Sequence, residues 1–475
     1  MHSRRRSGGV GWALFLLVVI LSVAAGADEI HVPDDYNTIE DAIKHADWGD
    51  TIVVDDQRTI RDTIVIRSER RLTIEGEFRF RRNTVIQGQR DTQPVFSLQN
   101  CSDITFRNLT VQSGSVGISA VNCQNIRIEE CLIQKNEGPG LLGYDFILED
   151  TTVTDNDTWG IELIGDPSDP TKAEIELINS FVTFNRGGGM KIEDAIATIE
   201  GTEFTDNRGY GIVVDGNTQV EFTDDYVPTV ISRNKDGGVL VRDATFTLQG
   251  TAQIQNNLGV GIEAERANLT VIGATISGHQ GAGILYRESQ GSVVSSFITD
   301  NPGAGIVIDE QSVVTVSSTS VTGQGGDGVQ VLNGATATID DGSSLSNNTL
   351  AGLLLDATTA TMADSTAGGN GVAGVRLINS AVGTLQSATI DQNLLDGVLV
   401  DASTVTMDGG TCSENVRHGI YVINESTATA QNGAVLSGNG VDGMLVESGI
   451  GRLQDASAEE NSQDGVRVLE SGTGT

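Results

Sequence analysis

The stretch that decides the fold is Asn301-Pro302-Gly303-Ala304-Gly305-Ile306-Val307-Ile308-Asp309, followed by Val313-Val314-Thr315-Val316 and Thr319-Ser320-Val321-Thr322. An asparagine, a glycine four places on and an aliphatic residue open it. Three short runs of alternating Ile, Val and Thr follow, punctuated by Gly, Asn, Asp and Ser, and each reads as a strand. The same register recurs at Asn136/Gly140, Asn156/Gly160, Asn185/Gly189, Asn207/Gly211, Asn234/Gly238 and Asn257/Gly261. Beyond Asn301 it returns at Asn348, Asn370, Asn393, Asn415, Asn439 and Asn461, each with its glycine. His279 before Gly283 and Gln324 before Gly328 replace the asparagine. Most spacings lie near 22–24 residues, a period that means stacked supersecondary units sharing one continuous core.

Three short strands per repeat predict an all-β chain, a single right-handed parallel β-helix. Stacked asparagines can hydrogen-bond from turn to turn as a ladder. The glycine suits a turn needing a positive φ, which asparagine also tolerates. At the start of the repeats, Thr38 and Asp41 form a helix-opening pair, and Ile39, Ala42, Ile43 and Ala46 share one face before Trp48-Gly49. This predicts a short N-terminal helix plugging the open coil and shielding its strand edges. No such plug precedes the last residues, Leu469 to Thr475, so a partner, a second subunit or further sequence is expected over that edge.

Residues 1–27 read as a signal peptide: Arg4, Arg5 and Arg6, an apolar run from Trp12 to Val23, and Ala25-Gly26-Ala27 before the cleavage point. Residues 28–475 then form one β-helix domain, with the cap and first strand in 28–52. Elaborated turns are expected in 136–242 and regular ones in 243–475. The expected location is secreted, extracellular or periplasmic, without a membrane span. The chain carries a formal net charge of −35, which argues against nucleic acid as a partner. Cys101 and Cys123 are one repeat apart and would stack at a distance that permits either a disulfide or a pair of buried thiols.

The chain resembles the right-handed parallel β-helix proteins of the pectin-lyase-like superfamily. The resemblance is clearest at Ile30-His31-Val32-Pro33-Asp34-Asp35-Tyr36-Asn37-Thr38-Ile39, Gly49-Asp50-Thr51-Ile52-Val53-Val54 and Arg71-Leu72-Thr73-Ile74-Glu75-Gly76, and extends over residues 30 to 470. It implies the coil fold and, among its enzymes, action on acidic polysaccharides; some members are accessory factors of periplasmic metalloenzymes. The hydrolase signatures N-T-D and G-H-G are reduced to Asp340-Asp341 and Gly278-His279-Gln280, and the Asp-Pro-His segment of alginate epimerases is missing. No catalytic residue transfers.

Candidate binding residues come from the irregular turns. Nine aromatic residues lie between Tyr144 and Tyr226, and two turns are lengthened, by Gly165 to Pro170 and by Thr223 to Pro228. Insertions leave a solenoid as surface loops. Aligned on the asparagine, Asp157, Arg186, Arg208 and Lys235 fall in one column, Trp159 and Tyr210 in the column two places on, and Glu162 and Lys191 just after the glycine. The expectation is a groove in which Trp159, Tyr210 and Tyr226 pack on sugar rings while Arg186, Lys191 and Arg208 hold anionic groups. If it were a lyase, Lys191 or Arg208 would be the base. The plainer expectation is that these side chains solvate turns and balance Asp157 and Glu162.

Two further columns stand out. Asp396, His418, Asp442 and Asp464 precede the glycine in their repeats, which would flank His418 with carboxylates and raise its pKa, with Tyr421 nearby, although Asp-Gly is a common turn pair. Asp215, Glu265, Asp309, Asp356, Asp401 and Glu447 recur past the strand. These read as a solvated acidic face, and calcium is the cation such a column would take. Leu240, Leu285, Val307, Leu354, Leu399 and Leu445 form an expected outward apolar strip suited to lateral self-association. The functional expectation is binding, with cleavage by a lyase or hydrolase an open question, of an acidic polysaccharide. The rival is a non-catalytic surface solenoid or adhesin stalk.

Overall fold

A computed structural model describes residues 27–55, 59–77, 84–89, 92–168, 173–223 and 227–475. Two sequence expectations reach beyond them: the signal peptide and Tyr226 lie outside the described residues, as do parts of both insertions. The chain winds into a right-handed parallel β-solenoid of about 19 turns. Most turns contribute one strand to each of three sheets, as in Ile306–Asp309, Val313–Ser317 and Ser320–Thr322. These pair in parallel with Ile284–Arg287, Gln290–Val294 and Phe297–Thr299 of the turn before, with Ile284 opposite Ile306, Gln290 opposite Val313 and Phe297 opposite Ser320. We call these the third, first and second sheets.

Alternation along each strand sets what is inside. Ile306, Ile308, Val314, Val316 and Val321 point inward and are at most 1% exposed, and their equivalents in other turns make one continuous apolar column. The N-terminal helix, Ile39–His45, covers its first end. Thr38 caps it by accepting the Asp41 N–H at 3.1 Å, and Ile39, Ala42 and Ile43 are buried against the coil.

The asparagine register is a ladder inside the corner between the second and third sheets. Asn185 shows the accounting: its Oδ1 accepts both the backbone N–H (3.1 Å) and the Nδ2 (2.9 Å) of Asn156, and its own Nδ2 donates to Asn207 Oδ1 (3.1 Å) and Val153 O (3.1 Å). Every polar atom of this buried amide is satisfied, as burial demands. Gln324 continues the ladder through its own amide, and His279 through its ring. The other corners repeat the device with hydroxyls, as in Ser289 N–H to Ser312 Oγ at 3.0 Å and Thr151 N–H to Ser180 Oγ at 3.2 Å.

The structure corrects the role of the register's glycine. Gly160 and its equivalents do not sit at positive φ. They are glycine for want of space: a Cβ on Gly160 would meet Val182 Cγ1 at 2.6 Å, Asn185 Nδ2 at 2.7 Å and Gly189 O at 2.8 Å. The left-handed residue is the one before the ladder asparagine, including Lys135, Asp155, Phe184, Asp206, Arg233 and Asn256 at φ of 55–58°. Half of the expected apolar strip is also corrected, while Val307, Leu354 and Leu399 stay partly exposed. Leu240, Leu285 and Leu445 are at most 9% exposed, because each outward side chain is flanked in register by those above and below it, Leu240 by Val213 and Glu263.

Candidate functional site: a charged corner groove and an aromatic face

The turn from the second sheet to the third is built by the left-handed residue, the inward asparagine and two residues that face solvent. In consecutive turns those outer positions bring together Lys135, Glu137, Asp155, Asp157, Phe184, Arg186, Asp206 and Arg208, which line a groove of about 530 Å³. The expected column of Asp157, Arg186 and Arg208 is therefore real and forms one wall. Lys235, one turn further, is exposed but does not line the groove.

The groove's charges are partly spoken for. Arg186 Nη1 lies 3.0 Å from Asp157 Oδ1, as the balancing alternative expects. Asp206 accepts both arms of Arg233, at 2.9 and 2.7 Å. Among the described residues, Lys135 and Arg208 make no ion pair, so they are the cations free to meet an anionic ligand.

Phe184, which sequence reasoning did not single out, lies between them. It is 56% exposed and has φ 56°. At the same place other turns carry Lys, Asp, Arg, Asn, Gln, Glu or Gly, residues that bear a left-handed backbone or a wet surface more cheaply. That contrast is the sequence signal that would have found it, once the left-handed position is known.

Trp159 and Tyr210 stand on the adjoining outer face of the third sheet, in strands Trp159–Ile164 and Tyr210–Asp215. Trp159 is in register with Gly188, and Tyr210 with Gly237. Both rings are half-buried. The Tyr210 hydroxyl donates to Glu263 Oε2 at 2.7 Å, and Glu263 is also paired with Arg287. Burial, with the Glu263 hydrogen bond second, pushes the phenol above its ordinary range. Lys191 stands apart from the groove. It follows Glu162 in register, as expected, but its Nζ binds Glu193 at 3.0 Å. A lyase base at Lys191 would first have to leave that partner.

The His418 column is a stack of turn caps. Asp327, Asp396 and Asp442 each accept the N–H of the residue one turn on, Ala351 at 2.8 Å, His418 at 3.2 Å and Asp464 at 3.1 Å. His418 Nδ1 lies 3.3 Å from Asp442 Oδ2. Burial pushes the His418 pKa down, against the pull of Asp396 and Asp442, so the expected rise is reversed: at 5% exposure, lost hydration outweighs two carboxylates.

Acidic residues past the strand are likewise engaged. Asp215 takes Arg242 at 2.8 and 2.9 Å, and Asp309, Asp356 and Asp401 take Asn333, Asn379 and Asn424 at 2.6, 2.7 and 2.7 Å. Each serves the next turn rather than converging on a point, and among the described residues no three His, Cys, Asp or Glu side chains are grouped to hold a metal ion. Cys101 and Cys123 are free, buried thiols: the Cys101 N–H points at Cys123 Sγ at 3.4 Å, the sulfur version of the serine ladder. They border a second open cavity, about 610 Å³, with Arg70, Tyr144, Asp145 and Glu174.

Fold and repeat together define a parallel β-solenoid protein built on an internal asparagine ladder. The family profile described as right handed beta helix region matches residues 30–195, 192–350 and 351–475, and the chain belongs to that family. No curated protein matches the sequence. Among solved structures it is similar to the mannuronan C-5 epimerase A-module of Azotobacter vinelandii (14% identity, 92% of this chain and 93% of that one, TM-score 0.29). It is also similar to an alginate lyase of the PL6 family (11%, 94% and 99%, TM-score 0.29) and a pectate lyase (12%, 68% and 74%, TM-score 0.29). At these values the likeness carries no inference about this chain. No helix among the described residues is long and apolar enough to cross a membrane.

Proposed function

We propose that this is an exported protein that binds an acidic polysaccharide in the corner groove of Lys135, Phe184, Arg186 and Arg208, with the face of Trp159 and Tyr210 beside it. The observation that carries the reading is the groove itself: two cations without ion pairs among the described residues and an exposed aromatic ring held in a left-handed backbone, in a protein of net charge −35. So acidic a surface repels polyanions, so a cationic strip with an open ring is where one could settle. Strained, exposed positions of this kind collect at binding sites.

No residue of the groove is assigned to bond cleavage. Titrating residues 28–475 with polyuronates and sulfated glycans by calorimetry tests the reading. Arg208→Ala and Lys135→Ala are expected to weaken binding several-fold, and added salt to weaken it in the wild type. Equal binding by wild type and both variants would remove the groove. The appearance of unsaturated product would add a lyase activity to it.

A structural or surface role has one observation in its favour. The same corner in later turns exposes Leu350, Leu394, Leu395 and Val416, at 37–59%, with Glu414 and Arg417 as charged neighbours. Concentration-dependent sedimentation that disappears in Leu394→Lys would support lateral contact there.

A further inference from the structure

Trp159 and Tyr210 share an outward column that carries a side chain at nearly every turn: Pro139, Val260, Ala282, Ala304, Asp327, Ala351 and onward. From Pro139 to the last repeat it contains two glycines, Gly188 and Gly237, and each lies in register directly after an aromatic residue. The reason is contact. A Cβ on Gly188 would fall 2.1 Å from Trp159 Cζ3, and one on Gly237 would fall 2.5 Å from Tyr210 Cε1. Each ring therefore reaches along the solenoid axis over the backbone of the following turn. Tyr210 is fixed at its far end too, because its hydroxyl reaches Glu263, two turns on, and Glu263 is 8% exposed and paired with Arg287.

The order along the axis is thus Trp159, Gly188, Tyr210, Gly237, Glu263, an aromatic strip four turns long or roughly 19 Å at the spacing of parallel strands. Gly188 and Gly237 are the seats that leave room for its rings. Shielding of the sheet alone would not call for this, since the alanines and valine elsewhere in the column cover it without glycine below.

We infer that Trp159 and Tyr210, seated on Gly188 and Gly237, are two platforms of one binding strip, and that its ligand is a linear polysaccharide lying parallel to the solenoid axis and long enough to cover both rings. The inference rests on the polysaccharide reading of the adjoining groove. It adds direction and length. One pyranose residue advances an extended chain about as far as one turn advances the solenoid, so a disaccharide reaches one platform, and a chain of about four residues reaches both. Rings so placed offer faces for the apolar sides of sugars, and their fixed geometry saves the ordering cost of binding.

The test compares disaccharide and hexasaccharide fragments of one acidic polymer on the whole mature chain. For the wild type, the hexasaccharide should bind at least ten-fold more tightly than the disaccharide. Tyr210→Leu and Gly237→Ala should both lose that gain, the second without removing any ring, whereas Trp159→Phe should keep it. Gly237 is the cleaner seat to fill because Gly188 has a φ of 154°. Thermal midpoints and far-ultraviolet circular dichroism report whether Gly237→Ala folds; if it does not, Tyr210→Leu and Glu263→Ala, which frees the phenol, carry the test. Wild-type hexasaccharide affinity in folded Tyr210→Leu would overturn the strip. Should Arg208→Ala lose binding while the ring variants keep it, the groove stands without the strip; if no acidic glycan binds the wild type, both fall.

Discussion

At the scale of single residues, the ladder shows how a buried polar side chain is tolerated. Asn207 meets Asn185, Asn234 and Val182, and each of these bonds closes a group that would otherwise be stranded in the core. Removing an acceptor from such a site costs about 1–3 kcal/mol for each group left unpaired, so Asn207→Ala should lower stability by several kcal/mol in chemical denaturation. His279 is the ladder's weak rung. Its Nδ1 accepts the Asn257 N–H at 3.2 Å and its Nε2 donates to Ile254 O at 3.0 Å, which requires the neutral ring. Burial holds its pKa down to about 4, against an ordinary 6.5. Between those values the unfolded chain binds the proton that the folded chain refuses, so stability is lost as pH falls from about 6.5 through 4 and levels off below. The loss amounts to roughly 3 kcal/mol. His279→Asn, which restores the common rung, should remove that part of the pH dependence, visible as a smaller drop in thermal midpoint between pH 7 and 4.5. Phe184 makes the opposite trade. Phe184→Asn should raise stability by about 1 kcal/mol by relieving a left-handed bulky residue, and should weaken glycan binding. A variant that gains neither stability nor loses affinity would show that the ring has no role in the groove.

At the scale of elements, the corner matters more than the strand. Strands of three to six residues are held because N–H groups at their entry are met by an amide, hydroxyl or thiol side chain one turn on, or by a carboxylate one turn back. The register's glycine follows from the same crowding. Gly160→Ala drives a Cβ against the ladder and the next turn's backbone, and should cost about 1–3 kcal/mol as overpacking; Gly342→Ala, with nothing within 4 Å, has no such contact and only its left-handed φ of 74° to resist. Surface clamps such as Arg266 with Asp243, at 2.7 Å and half-exposed, should contribute little by comparison. The strands and this corner were legible in the sequence from period and composition. The placement of the left-handed residue was not, because glycine and asparagine carry the statistical signal for positive φ while here both are used for space and hydrogen bonding.

At the scale of the whole molecule, the solenoid behaves as a stack in which each turn contacts its neighbours. Deleting residues 301–323, one whole turn from Asn301 to the residue before Gln324, leaves every ladder partner and strand register available. It should give a folded protein with an unchanged circular dichroism spectrum. Deleting half as many residues should not fold, since it brings the wrong strands together and turns inward side chains outward. The sequence by itself determined the coil: an apolar alternation of period two inside a repeat of 22–24 residues has one economical burial, and the capping helix follows from its own first turn. The alignment of columns was equally local, so Asp157, Arg186 and Arg208 could be placed together by counting. Only the tertiary structure decided what those columns do. It set Lys191 against Glu193, turned the acidic column into partners for the following turn, lowered His418 by burial and laid Trp159 and Tyr210 on glycines. Counting gives which residues are neighbours along the axis, but whether a side chain is paired, dry or free depends on distances and solvent across turns, which a one-dimensional period does not contain.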